Sequence, residues 1–449
     1  MRKKKQVQAE VTACGQCGST ALHHVAYGLP SLEMVEELGS RPGVRLGGCC
    51  VSRDDWSTEC LTCGQKRYFG DDSSQWTAAT RLSTAALMTR YAELVRDSVG
   101  TTTAPAVSYA GLWLLLAHLA PLASGTRRQA LAEAIGISCE QAAALAQELL
   151  RAPHKTIATA LGAWSQVDVD ITLAVPIEAM PDQAGLDRWA AENTRDLIKH
   201  FPLKLTPEML LVFATAVVLQ PQWTDKLRTN RNGMLVLDDG LQTLVDTQAA
   251  GRVAVAKPFS EDGVDVVSVI AAPDVSPREV WRAVDEVVDK LNQGGLWHAE
   301  YPGFDLVDGH AWTVRDMTQQ FVSWEAPAQG EVIWRSYLPQ WNADCVSQLT
   351  NAPGVREIVT SLQQAVPDLT GGPFECTQAA TAAYDDSGFT AAAVTGLGIA
   401  ATGVPQFVER TVRHVDVTFD RPHAVVAIAR GGAWEGVPIF HSWVTPETQ

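Results

Sequence analysis

Residues 384–405 read YDDSGFTAAAVTGLGIAATGVP, and the fold turns on whether this stretch is a loop or a strand. It opens with a polar glycine turn, Asp385-Asp386-Ser387-Gly388, and then carries no charge until Glu409. Phe389, Ala391, Ala393, Thr395, Leu397 and Ile399 alternate with Thr390, Ala392, Val394, Gly396 and Gly398. A period of two with one small-to-apolar face is what a strand needs to lie in a sheet over a core. Gly396, Gly398 and Gly403 leave the same segment able to live as a flexible loop. The expectation is a loop in one state and a strand in another; a Gly/Ala-rich surface loop is the plainer alternative.

Working outward, 449 residues with 46% hydrophobic and 19% charged composition suffice for a sizeable core. The net charge of −16 argues against a nucleic-acid partner for the bulk of the chain, because phosphate binding needs a basic face. Residues 1–5 are basic, but no apolar run follows, so no secretory signal is read and a cytoplasmic location is expected. The uncharged run Val107 to Ala123 contains His118 and Pro121 and reads as a buried helix, with no membrane partner.

Four of the nine cysteines form two knuckles, Cys14-Gly15-Gln16-Cys17-Gly18 and Cys60-Leu61-Thr62-Cys63-Gly64. In each, glycine lets the backbone turn so that both thiolates face one point. Cys14, Cys17, Cys60 and Cys63 together make a closed tetrahedral set for a structural Zn²⁺. The expected organisation is a flexible tail (1–9), a zinc-bound unit (10–70), a linker DDSSQW (71–76) and a large domain (77–449). Short strands are expected at 11–12, 25–27, 44–46 and 66–69. With CGQCGS, YGLPS (27–31), RLGGC (45–49) and CLTCG, the first 70 residues resemble a bacterial zinc ribbon. Cys49, Cys50, His23 and His24 are read as core or surface residues.

In the large domain, helices are predicted at 77–97, 109–120, 127–135, 140–150 and 186–201. Ser276-Pro277-Arg278-Glu279 is a capping box opening a helix to Leu291, and 354–362 is a short helix. Strands are predicted at 167–173, 210–219, 264–272, 331–338, 377–384, 412–419, 424–429 and 437–444. Helices first and strands last indicate an α+β fold.

The order of pieces resembles a serpin, a multi-sheet domain bearing a reactive-centre loop. SYAGLW (108–113) with GTRRQALAEAIG (125–136) is similar to the buried second helix and its following turn. LDRWAAENTRDLIKHFP (186–202) is similar to the helix crossing the main sheet, and LLVFATAVVLQPQW (210–223) to the central strand ending in a Trp. DDSGFTAAAVTG (385–396) resembles the loop hinge, and FDRPHAVVAIARG (419–431) with VPIFHSWVTPE (437–447) the closing strand pair. The wording is most similar to serpin-like proteins of high-GC Gram-positive bacteria.

The resemblance implies a serine protease inhibitor in which cleavage of the loop lets its hinge insert as a new strand. The implied hinge is Asp386, Ser387, Gly388, Phe389, Thr390, Ala391, Ala392, Ala393, Val394 and Thr395. Family spacing from Gly388 puts the scissile bond at Thr402-Gly403. Bonds near Ile399, Ala400 and Ala401 suit an elastase- or subtilisin-like protease, and Arg410-Thr411 a trypsin-like one. Three positions depart from the inhibitor pattern. Phe389 stands where a small polar residue is usual, so insertion would first have to bury it. Thr215 replaces Asn, and Gln378 replaces His, in the sheet-opening cluster. The alternative is a non-inhibitory binding or regulatory protein docked to a partner through the ribbon. No Ser/His/Asp arrangement or GxSxG motif points to an enzyme.

Overall fold

The structure, a computed structural model, describes residues 22–26, 44–46, 56–60, 66–68, 83–100, 106–152, 154–171, 173, 175–224, 227–260, 263–294, 305–322, 327, 331–369, 374–389 and 407–446. Near the N-terminus, β1 (Leu22–Ala26), β2 (Val44–Leu46), β3 (Trp56–Cys60) and β4 (Lys66–Tyr68) form one sheet in the order β2-β1-β3-β4. The sequence reading finds β2 and β4 but misses β3. Its strand at 11–12 lies outside the described residues.

Four helices follow: α1 (Thr84–Val99), α2 (Tyr109–Leu119), α3 (Gly125–Ile135) and α4 (Cys139–Arg151). Ser83 caps α1 through Ala86 N–H, and Ser108 caps α2 through Gly111 N–H. α2 is apolar all round and buried, as expected of a central helix. No helix among the described residues is long and apolar enough to cross a membrane.

The strand expected at 167–173 does not form. The strand lies earlier, as β5 (Ile157–Ser165). It ends where the Ser165 hydroxyl accepts Val167 N–H and donates to Val167 C=O, turning the chain out of the ladder. After β6 (Glu178–Ala179), helix α5 covers Gln183–Asn193 and stops eight residues before the expected end. Arg195 and Asp196 are left-handed (φ 53° and 62°), while Thr194 Oγ1 donates to Ala190 C=O and accepts Ile198 N–H. β7 (Leu211–Leu219) pairs along its length with β5.

β8 (Arg228–Thr229) and β9 (Leu235–Leu237) lead into β10 (Gly240–Thr247), β11 (Gly251–Pro258) and β12 (Val264–Ile270), followed by α6 (Pro277–Asn292). The capping box of α6 is formed as predicted, with Ser276 and Glu279 exchanging side-chain and backbone bonds. β13 (Trp312–Val322), β14 (Val332–Leu338), β15 (Trp341–Gln348), α7 (Val355–Ala365) and β16 (Thr377–Tyr384) come next, and β17 (Phe407–Thr418), β18 (His423–Ala429) and β19 (Pro438–Val444) close the chain.

The sheet β10-β11-β12-β18-β19 is buried on both faces. Ala424, Val426 and Ile428 pack toward α6, while Val425, Ala427 and Ala429 enter the main core with Trp113, Tyr91 and Trp434. That two-sided burial explains why β18 reads as a continuous apolar run rather than an alternating one. A second five-stranded sheet runs β13-β17-β14-β9-β8. The remaining strands form two separate ladders, β15-β16 and β6-β5-β7.

Candidate functional site

The candidate site lies where β16 ends. Ala380, Ala382 and Tyr384 point into the core, and the intervening residues are half-buried. The chain then reverses within four residues. Asp385 Oδ1 accepts hydrogen bonds from Ser387 N–H (2.8 Å), Ser387 Oγ–H (2.9 Å) and Gly388 N–H (3.1 Å), while Asp385 N–H donates to Gly388 C=O (3.1 Å). The reversal brings Phe389 opposite Tyr384 as an antiparallel bridge.

The same residues are held from the other side by the segment following β7. Phe389 N–H donates to Pro221 C=O (3.0 Å), and Gly388 bridges Gln222. Trp223 donates its backbone N–H to Ser387 C=O (3.1 Å) and its indole N–H to Asp385 C=O (3.0 Å). Leu227 N–H reaches Asp386 C=O (2.8 Å). Gly388 is required here: a Cβ would lie 2.6 Å from the Pro221 oxygen. Thus Gly388 and Phe389 link the end of β16 to the continuation of β7.

Phe389 is 2% exposed. Its ring meets Trp341 edge-on (6.0 Å, 72°), Trp341 stacks on Tyr384 (6.1 Å, 20°), and Tyr384 leans on Trp223 (5.1 Å). This corrects the reading in which Phe389 still has to be buried for insertion to begin. Burial pushes the Tyr384 phenol up from its usual pKa, so the ring stays neutral.

Below this junction the sheet is split. β7 pairs with β5 and β16 with β15, and among the described residues no ladder joins β7 to β16. The sequence reading of 210–219 as a central strand is therefore corrected: one edge of β7 is open. The gap is a cleft between residues 213–219 of β7 and 377–381 of β16. Ser108, Gly111, Leu112 and Leu115 of the α2 region line one side, and Trp189, Leu197 and Phe201 another. Thr215 Oγ1 donates to Gly111 C=O (3.0 Å). Gln378 accepts Ser108 N–H at Oε1 (2.7 Å) and donates Nε2–H to Ser108 C=O (2.9 Å).

Asp386, Ser387, Gly388 and Phe389 are thus brought together. Thr390, Ala391, Ala392, Ala393, Val394, Thr395, Thr402 and Gly403 lie outside the described residues. Trp341 escapes the sequence reading because the alternation of Trp341, Ala343 and Cys345 with Asn342 and Asp344 is short and Val346 breaks it. The sequence does identify Ser108 as a helix cap, but its second partnership with Gln378 is separated by 270 positions and leaves no local signal.

Of the four knuckle cysteines, Cys60 lies among the described residues, at the end of β3. Leu22, which opens β1, is paired with Cys60, which closes β3. Cys14, Cys17 and Cys63 lie outside the described residues.

No protein-family model matches the chain, and no curated protein sequence matches it. Solved structures do. A thermophilic serpin, tengpin, in its native state superposes with TM-score 0.53 at 16% identity, over 81% of this chain and 94% of tengpin. Human kallistatin gives 0.54 at 15%, over 81% and 97%. Thyroxine-binding globulin in complex with thyroxine gives 0.52 at 13%, over 81% and 99%. At such identities the likeness speaks for architecture alone: the chain carries the serpin fold.

Proposed function

We propose that this chain is a serpin-type inhibitor of a serine protease, in which cleavage of the segment after Phe389 lets that segment enter the cleft between β7 and β16. The observation that carries the reading is the double pairing of the hinge. Gly388 and Phe389 already bridge Tyr384 on one side and Pro221–Gln222 on the other.

Continuing that register is a matter of counting. Opposite β16, Ala391 would meet Ala382, Ala393 would meet Ala380, and Thr395 would meet Gln378. Opposite β7, Ala391 would meet Leu219, Ala393 would meet Val217, and Thr395 would meet Thr215. The face that begins with Phe389 would then look toward α2, and its one polar residue, Thr395, would fall between the two polar side chains of the cleft. Leu397 and Ile399 would contribute roughly 1.5–3 kcal/mol each on burial, and each new ladder bond roughly 1 kcal/mol. Phe389 would add nothing to this drive, since it is buried already.

A second reading, a non-inhibitory serpin-fold binding protein, is favoured by that same anchoring, because a hinge held by this many bonds resists movement. In either reading the cysteine knuckles hold a structural Zn²⁺; in the second, the ribbon is the module that docks a protein partner. Mixing the protein with elastase-, subtilisin- and trypsin-like proteases separates the two. An SDS-stable complex together with a rise in thermal stability on cutting supports inhibition. Cutting without either supports the binding module and overturns inhibition.

A further inference from the structure

A pocket of about 280 Å³, separate from the cleft between β7 and β16, adjoins the segments that hold the hinge. Its apolar lining is Leu227, Val236 and Pro258, all buried, and Phe259, which is 41% exposed. Lys257 Nζ lies 5.6 Å from the centre of the Phe259 ring and is tied to Asp265 (2.7 Å), so its charge is balanced inside the fold. The charged lining is one arginine, Arg228, against two aspartates, Asp238 and Asp239. Asp238 is taken, since it pairs with Arg228 and with Arg335 (2.7 Å). Asp239 is exposed, and among the described residues nothing pairs with it. The backbone around the pocket also carries the hinge. Leu227 N–H donates to Asp386 C=O (2.8 Å), and Phe259 C=O accepts Thr224 N–H (2.9 Å), next to the Trp223 that holds Asp385 and Ser387.

We propose that this pocket binds a small aromatic cation, its ring against Phe259 and its ammonium at Asp239, and that the bound molecule braces the hinge. Size sets the first limit. A cavity of about 150 Å³ accepts benzene, so a pocket of about 280 Å³ takes a fused two-ring body. The lining has the make-up of a small-molecule site, apolar walls with a few placed polar groups, and the exposed ring offers a stacking surface. Charge sets the sign. The lining is net negative within a chain of net charge −16, which favours a cation. An anion would face the unpaired Asp239 and would have to compete with Asp238 for Arg228. The brace follows from which residues the ligand touches. Contact with Leu227 and Phe259 joins two segments whose backbones hold Asp386 and Thr224. A ligand that needs both segments in place stabilises that arrangement by its own binding free energy. None of this requires the chain beyond Phe389 to enter the cleft, so the site stands or falls apart from the inhibitor reading.

The test titrates tryptamine into the full-length protein by calorimetry, with indole-3-acetate as the anion on the same ring system. Two variants, Asp239→Asn and Phe259→Ala, change exposed side chains and are expected to fold as wild type does. Tryptamine is expected to bind saturably and more tightly than indole-3-acetate. Asp239→Asn should weaken it about fivefold, as for an exposed ion pair, and remove the preference for the cation. Phe259→Ala should weaken it about tenfold. In wild type, bound tryptamine should slow hydrogen exchange at Leu227 N–H, the donor to Asp386. The proposal is overturned if tryptamine shows no saturable binding, if the anion binds as tightly, or if both variants keep the wild-type affinity. Saturable binding that leaves exchange at Leu227 unchanged overturns the brace. Should Phe259→Ala fail to fold, the loss of cation preference in Asp239→Asn decides.

Discussion

Gln378 spends its whole side-chain amide on one residue: it accepts the N–H of Ser108 at 2.7 Å and donates to the C=O of Ser108 at 2.9 Å. Ser108 is 3% exposed, caps α2, and donates its hydroxyl to Ile439 C=O. One side chain at the edge of the cleft thus satisfies both backbone groups at the start of the central helix. In Gln378→Ala the Ser108 N–H loses its partner in a buried site, while the Ser108 C=O keeps only the longer bond from Leu112 N–H (3.4 Å). The expected loss is about 1–3 kcal/mol, read as a lower urea midpoint with an unchanged slope. Gln378→Glu keeps the acceptor for Ser108 N–H but sets a carboxylate against Ser108 C=O, and it too is expected to be less stable than wild type.

Phe389 yields a second prediction. Removing a buried ring that packs edge-on against Trp341 costs about 3 kcal/mol where the surroundings do not collapse. Phe389→Ala is therefore expected to destabilise the uncut protein and to speed hydrogen exchange at its own amide, which donates to Pro221. Gly388→Ala drives a methyl group to 2.6 Å from the Pro221 oxygen, so the bridge to Gln222 must open even though the aromatic cluster stays complete. Both variants are expected to release the hinge, and faster proteolysis after Phe389 is the measurement that checks them.

These contacts also mark what the sequence makes visible. The strand Thr377–Tyr384 is readable to the residue, because small side chains alternate up to a large aromatic and a polar turn. The capping box at Ser276 is equally local. β13 is not readable: its exposed stretch Arg315–Thr318 looks like solvent-facing chain, and only pairing with β17, almost a hundred residues away, makes it a strand. β5 fails for a related reason. IATALGAWS carries small residues that suit a helix as well as a sheet, and β7 decides the matter. The open edge between β7 and β16 is a property of two strands at once, so no single stretch encodes it.

Acid sensitivity follows from two buried histidines. His423 lies close to Arg421 C=O through Nδ1 (2.9 Å), and burial pushes its pKa down to about 4. His441, packed against Tyr109 and Trp281, is lowered too, by burial first and then by the Arg96 guanidinium. Both stay neutral in the fold, whereas in the unfolded chain they take up a proton near pH 6.5. The unfolded state therefore binds more protons between about pH 6.5 and 4, and stability falls as pH drops through that window. For His423 the loss approaches about 3 kcal/mol, at roughly 1.4 kcal/mol per pH unit. Asp285 acts with the opposite sign: burial pushes its carboxyl up to about 7 despite the adjoining Arg96. The difference between wild type and His423→Gln isolates the histidine. Urea melts from pH 8 to 4 are expected to show the shallower acid limb in the variant.

The proposed zinc ribbon makes the last prediction. A unit as small as residues 10–70 buries too little surface to hold four short strands unaided, so metal binding and folding should be one event. Purified under reducing conditions, the protein is expected to carry one zinc per chain, held by Cys14, Cys17, Cys60 and Cys63. Cobalt replacing zinc should give the intense thiolate charge-transfer bands of an all-sulfur tetrahedral site. Cys60→Ser removes a proposed ligand at the end of β3, directly opposite Leu22, and is expected to abolish those bands and expose β1–β4 to hydrogen exchange. The β7 and β16 strands should keep their protection, since none of their ladder partners comes from the ribbon. A zinc content near zero in the reduced wild type, with β1–β4 still protected, would mean that the sheet folds on its own and that the cysteines serve another purpose.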